Sequence, residues 1–333
     1  MAKPRPTPFL LSLVVPMYNE EEVVDLFFER VFKTLDRSDF RLEIICIDDG
    51  SADSTIEKLR DWCARDARIK AITLSRNFGK EAALTAGLHH ATGDAVIPID
   101  VDLQDPPEVI LDMIEKWRDG FDMVLAVRAD RASDTPLKRL TAEWFYKIIG
   151  RLGEVKIPAN AGDFRLLDRR VVDALETLGE RNRFNKGLFA WLGFKQTTVE
   201  YVRPGREAGT SKWKYLRLWN FALEGIFSFS TAPLKVWSYF GFALAAAAIA
   251  YAVFLIGHTL IMGVDVPGYA SLAVMVLFLS GMNFIGLGVL GEYMGLTFIE
   301  TKRRPLYLID EVISGEKAAK IGAETAVSKA LKV

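Results

Sequence analysis

The stretch Val96–Glu108, VIPIDVDLQDPPE, joins an apolar run to a cluster of carboxylates and two prolines. The run Val96–Ile99 predicts a buried strand, and the prolines block its continuation and suit the start of a helix. Asp100 and Asp102 follow this strand one residue apart, so their charges need compensation. Mg²⁺ or Mn²⁺ provides it in many proteins, because these cations prefer oxygen ligands and bridge carboxylates to phosphates. An acidic turn that caps the following helix is the alternative interpretation.

Strand-like and helix-like patterns alternate around this stretch. Helical patterns separate five β-branched or apolar runs that predict strands: Phe9–Val15, Leu42–Ile47, Ile69–Leu74, Val96–Ile99 and Phe121–Val127. This alternation implies crossover connections, and therefore an α/β fold with a Rossmann-like, mostly parallel sheet. The first four runs each end in a polar or acidic cluster. Ligands bind at the carboxyl ends of strands in such sheets, so four clusters at one edge predict a binding site.

Several classes of function lack their usual signals. No Gly-x-Gly-x-x-Gly follows the first strand and no Gly-x-x-x-x-Gly-Lys-Ser/Thr is present, so phosphates would need a metal rather than a glycine-rich loop. The net charge of -1 offers no general argument for nucleic-acid binding. Cys46 and Cys63 have no metal-binding spacing, which favours a reducing compartment.

The C-terminal third is much more apolar than the rest. Residues Ser238–Met262 and Ala270–Gly291 contain no Asp, Glu, Lys or Arg, and each is longer than the roughly 20 residues that cross a bilayer. Lysines and arginines flank the pair but are missing from the link between them, which places the α/β domain in the cytoplasm. The tail from Ile309 onward is charged and helix-prone. The predicted divisions are a catalytic domain (1–212), interfacial amphipathic helices (213–235), two transmembrane helices (236–300) and a cytoplasmic tail (301–333).

Four motifs occur together in the first part of the chain: VPMYNEEE (15–22), DDGSADST (48–55), LSRNFGKEAAL (74–84) and DVDLQDPPE (100–108). Their order and spacing resemble the family 2 glycosyltransferases with the GT-A fold. The later segments GDFRLLDRR (162–170), RFNKGLFAWLGF (183–194) and REAGTSKW (206–213), followed by two apolar spans, resemble one branch of that family. This branch is the polyprenyl-phosphate glycosyltransferases, which includes dolichol-phosphate mannose synthase and the bacterial undecaprenyl-phosphate glucosyltransferases.

The resemblance implies roles for individual residues. A nucleotide sugar would be bound by Pro16, Tyr18, Asn19, Glu20, Asp48, Asp49, Ser51, Asn77, Lys80, Asp100, Val101 and Asp102. The metal would be held by Asp102 with Asp100, with Gln104 beside the sugar and Asp163 where relatives have a candidate base. The acceptor phosphate would contact Arg128, Arg139, Arg206, Ser211 and Lys212. The family often has Ala between the two metal-binding carboxylates, where this chain has Val101.

The resemblance also implies a reaction. It is an inverting transfer of one hexose, glucose from UDP-glucose being preferred, to undecaprenyl or another polyprenyl phosphate. The enzyme would be a multi-pass protein of the bacterial inner membrane that contributes to cell-envelope glycans, and a homo-oligomer, by resemblance a tetramer. The missing Gln-x-x-Arg-Trp motif disfavours a processive polysaccharide synthase. Two alternatives stay open: another sugar, such as N-acetylglucosamine, mannose or an aminoarabinose derivative, or a non-catalytic membrane scaffold.

Overall fold

The computed structural model describes residues 5–36, 39–129, 161–181, 183, 185–202, 232–262 and 268–315. The described strands are β1 (Phe9–Met17), β2 (Phe40–Asp48), β3 (Ile69–Leu74), β4 (Ala95–Pro98), β5 (Met123–Arg128), β6 (Ala161–Asp168), β7 (Gln196–Tyr201) and β8 (Ile309–Ser314). The described helices are α1 (Val24–Leu35), α2 (Thr55–Arg65), α3 (Lys80–His90), α4 (Val109–Arg118), α5 (Arg169–Glu176), α6 (Asn185–Trp191), α7 (Ala232–Met262) and α8 (Tyr269–Lys302).

The eight described strands form one sheet in the order β7-β5-β6-β4-β1-β2-β3-β8. Strands β1 to β4 are parallel, and β7 is parallel to β5. Strand β6 is antiparallel to both of its neighbours, β4 and β5, and β8 is antiparallel to β3. The predicted α/β fold with a mostly parallel sheet is therefore confirmed. The edge at which β1 to β5 end is called the carboxyl edge below.

Helices cover both faces of this sheet, which explains why central strands such as β1 and β4 are almost continuously apolar. Alternate residues of β1 enter different cores. Leu13 packs on the side of α1, α2 and α4, whereas its neighbour Val14 packs on the side of α3, α5 and α6. Both side chains are fully buried. The rigid double-sided core fixes the positions of the strand ends, and with them the loops at the carboxyl edge.

Strand β6 was not predicted from the sequence. It lies between β4 and β5 and begins at the carboxyl edge, where Ala161 pairs with Val127. The usual alternation of apolar and polar residues is obscured in β6, because two charged residues, Asp163 and Arg165, occupy one face of the strand. The other face carries Phe164 and Leu166, which lie in the core beside α4. The consequence for the site is that β6 brings Asp163 to the carboxyl edge.

The helix that we predicted from Ile309 onward is wrong for residues Ile309–Ser314, which form strand β8. Strand β3 would otherwise leave a row of unpaired backbone groups at this side of the sheet. β-Branched residues on both faces suit this position: Ile313 enters one core, and Val312 packs against the other. Arg60 of α2 pairs with Glu311 and holds the strand from outside. The residues after 315 lie outside the described part, and the predicted domain boundaries stay predictions.

Both predicted membrane segments lie on long helices, α7 with 31 residues and α8 with 34 residues. Within the described residues, one helical stretch, Val274–Lys302, is long and apolar enough to cross a membrane, and it is exposed along its length. The apolar stretch Val236–Tyr251 of α7 is shorter. The indole of Trp237 lies against Gly286, where any side chain would collide with it, so α7 and α8 are in contact. The two-span hairpin itself stays a prediction.

We predict that Gly87→Ala destabilises the sheet domain. A Cβ at Gly87 of α3 would lie 2.6 Å from Ile47 Cδ1 and still closer to Val14 Cγ1, so two core side chains would have to move. Overpacking of this kind costs roughly 1–3 kcal/mol, which exceeds the roughly 1 kcal/mol that Ala contributes over Gly in a helix. Denaturant unfolding of the detergent-solubilised protein measures the change. Gly179→Ala is the control, because no atom lies within 4 Å of its Cβ; equal stability of the two variants would contradict the prediction.

Candidate active site

The loops that follow β1 and β2 are hydrogen-bonded to each other. The backbone N–H of Asn19 donates to Ser51 Oγ at 2.9 Å, and Asn19 Oδ1 accepts from the N–H of Ala52 at 2.8 Å. The N–H of Glu20 donates to Thr55 Oγ1 at 2.9 Å. Asn19 has a φ of 53°, a left-handed conformation that Asn tolerates better than most residues. Two motifs whose first residues are 33 positions apart in sequence therefore form one hydrogen-bonded unit.

Asp48 ends β2 as a nearly buried carboxylate, 3% exposed. Its Oδ2 accepts from the N–H of Ser51 at 3.2 Å. Its Oδ1 is buried and has no hydrogen-bond partner among the described residues. Burial raises the pKa of Asp48, and the hydrogen bonds from Ser51 only partly oppose this effect. A buried acceptor with unused capacity is costly, and such groups concentrate at binding sites.

Asp49 connects β2 to the loop after β3. Its Oδ1 accepts from the N–H of Phe78 at 2.7 Å, and its Oδ2 accepts from the N–H of Gly79 at 2.9 Å. Burial raises its pKa, and these two hydrogen bonds act in the opposite direction. Gly50 follows with a φ of 70°, and a Cβ there would lie 2.7 Å from the carbonyl carbon of Arg76. Asp49 thus positions the start of α3, and its predicted direct contact with a nucleotide stays a prediction.

Lys80, the first residue of α3, joins two carboxylates at the carboxyl edge. Its Nζ lies 2.6 Å from Asp100 Oδ1 and 3.2 Å from Asp163 Oδ2. Burial alone would lower the pKa of Lys80, but the negative charges of Asp100 and Asp163 outweigh it and raise the pKa. The ammonium is therefore charged at every physiological pH. Asp163, which the sequence assigned as a candidate base, is held here by a cation.

The loop after β4 places the two predicted metal ligands on its outer side. Asp100 and Asp102 are half-buried, whereas Val101 between them is 4% exposed and packs in the core. The N–H of Gln104 donates to Asp102 Oδ1 at 3.2 Å. Leu103 has a φ of 55° and is buried, which is a strained conformation for a leucine. The burial of Val101 does not support the predicted contact between its side chain and a nucleotide.

These two carboxylates suit a divalent cation that takes its other ligands from a diphosphate and water. Mg²⁺ is typically bound by one or two carboxylates plus substrate phosphates, rather than by a cage made only of protein groups. The described residues contain no cluster of three or more His, Cys, Asp or Glu side chains arranged to hold a metal. Asp100 and Asp102 therefore fit the cation on the chemistry of their oxygen donors.

Three other predicted residues are described at this edge. Pro16 lies within β1 opposite Ile47, and Tyr18 directly after the strand is 41% exposed. Asn77 is exposed in the loop that Asp49 holds.

Of the five residues predicted to bind an acceptor phosphate, Arg128 ends β5 at the same edge. The other four, Arg139, Arg206, Ser211 and Lys212, lie outside the described residues.

Sequence reasoning missed three buried polar residues at this edge. Tyr201 ends β7 beside Arg128, and its hydroxyl donates to Asp105 Oδ1 at 2.9 Å. Arg165 lies two residues after Asp163 on β6, is 4% exposed, and stacks on Phe189 at 4.5 Å. Burial lowers the pKa of Arg165 to about 10, although the charges of Asp163 and Glu81 act in the opposite direction. No local sequence signal pointed to Arg165, because the charged residues of GDFRLLD obscure the strand pattern.

The chain that leaves α8 returns to the carboxyl edge. The N–H of Ser75, which directly follows β3, donates to the carbonyl of Leu308 at 2.9 Å. Glu300 near the end of α8 accepts from the N–H of Arg181 at 2.7 Å. His89 Nδ1 and the hydroxyl of Tyr307 are 2.9 Å apart, and burial lowers the pKa of His89 to about 4. The end of the apolar helix is therefore fixed to the sheet domain by several contacts.

The chain is similar in sequence to known glycosyltransferases. Residues 12–176 match the family described as Glycosyl transferase family 2. The "Uncharacterized glycosyltransferase sll0501" of Synechocystis sp. is 54% identical over 91% of this chain and 95% of its own length. The "Bactoprenol glucosyl transferase" of Shigella phage SfV is 52% identical over 90% of this chain and 97% of its own length.

A solved structure was also matched, the mannosyltransferase PcManGT of Pyrobaculum calidifontis in complex with GDP-Man and Mn²⁺. It is 18% identical, with coverage of 91% of this chain and 88% of its own, and its TM-score of 0.45 is too low to support an argument. The sequence relatives decide the classification, since they exceed half identity over nine-tenths of the chain. Together with the acidic carboxyl edge, they show that this chain belongs to glycosyltransferase family 2.

Proposed function

We propose that this chain transfers a single glucose from UDP-glucose to undecaprenyl or another polyprenyl phosphate, on the cytoplasmic face of the bacterial inner membrane. The observation that carries the proposal is the hydrogen bond between Ser75 and Leu308, which ties the chain leaving α8 to the carboxyl edge. The chain that follows the apolar helix thereby meets the edge that carries the acidic residues, as we expect for an enzyme with a lipid acceptor. The name of the Shigella phage relative supports glucose and bactoprenol as the substrates.

The donor half of the site is the unit formed by the loops after β1 and β2. The unused Oδ1 of Asp48 is suited to accept from a ring N–H of a base such as uracil, which presents one donor between two acceptors. Ser51 and Asn19 shape this unit through the hydrogen bond between them. We assign the nucleotide to this position, with its diphosphate extending toward the loop after β4.

The leaving diphosphate develops negative charge as the glycosidic bond to it breaks. Asp100 and Asp102 would hold Mg²⁺ or Mn²⁺, whose chemistry at this position is to neutralise that charge as a Lewis acid. Lys80 orients Asp100 through its 2.6 Å ion pair and adds a fixed positive charge beside the diphosphate. Gln104 follows this pair in the same loop and is assigned to the sugar.

The acceptor half needs cations more than it needs a base. A polyprenyl phosphate oxygen is already anionic near neutral pH, so it can attack the anomeric carbon from the side opposite the diphosphate without losing a proton. Because Lys80 holds Asp163, we assign that carboxylate an orienting role. Arginine suits bidentate contacts with phosphate. The acceptor set comprises Arg128, Arg139, Arg206, Ser211 and Lys212.

The membrane arrangement rests on the sequence together with the helices. Two transmembrane helices within 236–300 would place both flanks, and the catalytic domain, in the cytoplasm because the basic residues lie outside the link between them. Amphipathic helices in 213–235 would lie along the membrane surface beside the acceptor residues. A homo-oligomer, a tetramer by the family resemblance, belongs to the same proposal.

Incubation of the full purified chain with radiolabelled nucleotide sugars, undecaprenyl phosphate and Mg²⁺ or Mn²⁺ tests the proposal. Chloroform extraction then separates lipid-linked label from free donor. Label in the organic phase with UDP-glucose is the expected result. Label from N-acetylglucosamine, mannose or aminoarabinose donors instead would refute glucose, and no label with any donor would favour the non-catalytic scaffold.

We predict that Asp48→Asn weakens UDP binding and stabilises the fold. Loss of a charged hydrogen-bond acceptor should weaken UDP binding about tenfold in calorimetry.

The effect of Asp48→Asn on stability follows from the pKa of Asp48, which burial raises above its ordinary 3.8. The folded chain therefore binds the proton of this carboxyl group more tightly than the unfolded chain does. As a result, the wild type loses stability as pH rises through the folded-state pKa. The variant should therefore melt above wild type at pH 7 and lose this advantage in acid below the ordinary pKa. The exposed Asp112→Asn is the control; a variant with wild-type affinity for UDP contradicts the assignment.

We predict that Asp102→Ala abolishes transfer. Lewis-acid stabilisation of a leaving diphosphate is worth several kcal/mol, so kcat should fall at least about a hundredfold. Removal of the metal with a chelator should reduce the wild type to the same level and have little further effect on the variant. Transfer is measured in membranes, with Asp112→Ala as a matched control on the exposed face of α4. Full activity of Asp102→Ala would exclude the role assigned to this carboxylate.

We predict that Arg206→Ala raises the apparent KM for the lipid phosphate about tenfold and leaves the KM for UDP-glucose nearly unchanged. A charge-assisted hydrogen bond to phosphate is worth roughly 1.5–3 kcal/mol. Steady-state kinetics with each substrate varied in turn give both constants. Arg41→Ala, an exposed arginine at the amino end of β2, is the matched control. Equal changes in the two KM values would count against the acceptor assignment.

A further inference from the structure

A buried tyrosine hydroxyl lies between the donor loop and the acceptor arginine. Tyr201 ends β7, and its parallel partner in register is Arg128, the last residue of β5. The hydroxyl of Tyr201 donates to Asp105 Oδ1 at 2.9 Å, and the neighbouring Arg128 acts to lower the pKa of the same hydroxyl. Tyr201 therefore lies beside an arginine assigned to the acceptor phosphate and is hydrogen-bonded to the loop that carries the assigned metal ligands.

The packing of the Tyr201 ring does not explain why the residue at this position has a hydroxyl group. The ring is 7% exposed and meets Phe164 edge-on, with 5.9 Å between the ring centroids. A phenylalanine would preserve that contact. Burial, together with the charge of Asp105, raises the pKa of Tyr201 to about 12, so the hydroxyl keeps its proton and remains a donor at neutral pH. Asp105 is itself 6% exposed, and a buried carboxylate of this kind requires hydrogen-bond donors.

The loop that contains Asp105 needs support at both ends. Leu103 has a φ of 55°, a conformation that a leucine keeps only when its surroundings impose it. At the near end, Asp100 is held by Lys80. At the far end, Asp105 is held by Tyr201. Asp102 and Gln104 lie between these two fixed points, so their positions depend on both.

We propose that Tyr201 is a positioning residue that holds Arg128 and the Asp100–Asp105 loop at a fixed spacing, so that the acceptor phosphate meets the donor diphosphate in the reactive geometry. This proposal rests on the proposed function, because it takes Arg128 as a phosphate contact. Tyr201 touches neither substrate in this scheme. It acts through Arg128 on one side and through Asp105 on the other.

A double-mutant cycle on the full detergent-solubilised chain tests the proposal. Tyr201→Phe should raise the apparent KM for undecaprenyl phosphate about tenfold, lower kcat, and change the KM for UDP-glucose less than about twofold. Arg128→Gln should raise the lipid KM at least as much. The double variant should have the same lipid KM as Arg128→Gln alone, because Tyr201 acts on the lipid through that arginine.

Two further variants distinguish positioning from general stability. Tyr307→Phe also removes one hydrogen bond from a tyrosine, the contact with His89, and should leave the lipid KM unchanged. Asp105→Asn weakens the Tyr201 contact from the other side and should raise the lipid KM in the same direction. Thermal midpoints of all variants verify that they are folded, and Asp105→Asn keeps the test valid if Tyr201→Phe does not fold.

Direct binding of undecaprenyl phosphate, measured beside turnover, separates this proposal from the proposed function. A wild-type chain that neither binds nor glycosylates the lipid refutes both. A wild type that does both, with Tyr201→Phe and Asp105→Asn unchanged in lipid KM, refutes only the positioning role. Additive effects of Tyr201→Phe and Arg128→Gln refute it as well, since they would show that the two residues act independently.

Discussion

The ammonium group of Lys80 pairs with two carboxylates, and this partial charge compensation allows three separate elements to meet at the carboxyl edge. Asp100 comes from the loop after β4, Asp163 from β6, and Lys80 from the start of α3. A cation at a helix N-terminus is disfavoured by the helix dipole, and the two carboxylates offset that cost. With side chains 45% and 31% exposed, the Lys80–Asp100 pair stabilises the fold by roughly 1 kcal/mol at most. The main consequence of this pair is therefore to fix the positions of the elements that carry Lys80 and Asp100.

The same edge contains buried carboxylates whose presence is not explained by the stability of the fold. Asp48, Asp49 and Asp105 are each less than 10% exposed. Burial raises the pKa of Asp48 and Asp49, which means that both destabilise the fold at neutral pH compared with exposed carboxylates. Asp49 offsets part of this cost by accepting two backbone hydrogen bonds, whereas Asp48 keeps one oxygen unsatisfied among the described residues. Asp49 is therefore a carboxylate that shapes the site, whereas Asp48 is suited to bind a ligand.

The sequence predicted the elements whose signal is local. Strand Ile69–Leu74 has the predicted bounds, because a strand buried on both faces has a clear pattern. Helix α4 begins shortly after Pro106 and Pro107, which were expected to precede a helix. Strands β6 and β8 were missed since each depends on pairing with a distant strand rather than on its own pattern. The meeting of four strand ends at one edge was also predictable. The contact between Asp105 and Tyr201, which are 96 residues apart, was not, because no local rule relates them.

Strand β8 has a consequence for where the reaction can take place. Six residues, 303–308, separate the end of α8 from β8, and an extended chain from Lys302 to Ile309 spans about 25 Å at most. Strand β8 pairs antiparallel with β3, so it begins at the carboxyl edge rather than at the opposite edge. A parallel pairing would have required the chain to pass the whole sheet before entering it. The antiparallel pairing thus lets the chain that leaves the apolar helix enter the sheet at the same edge that carries the acidic residues.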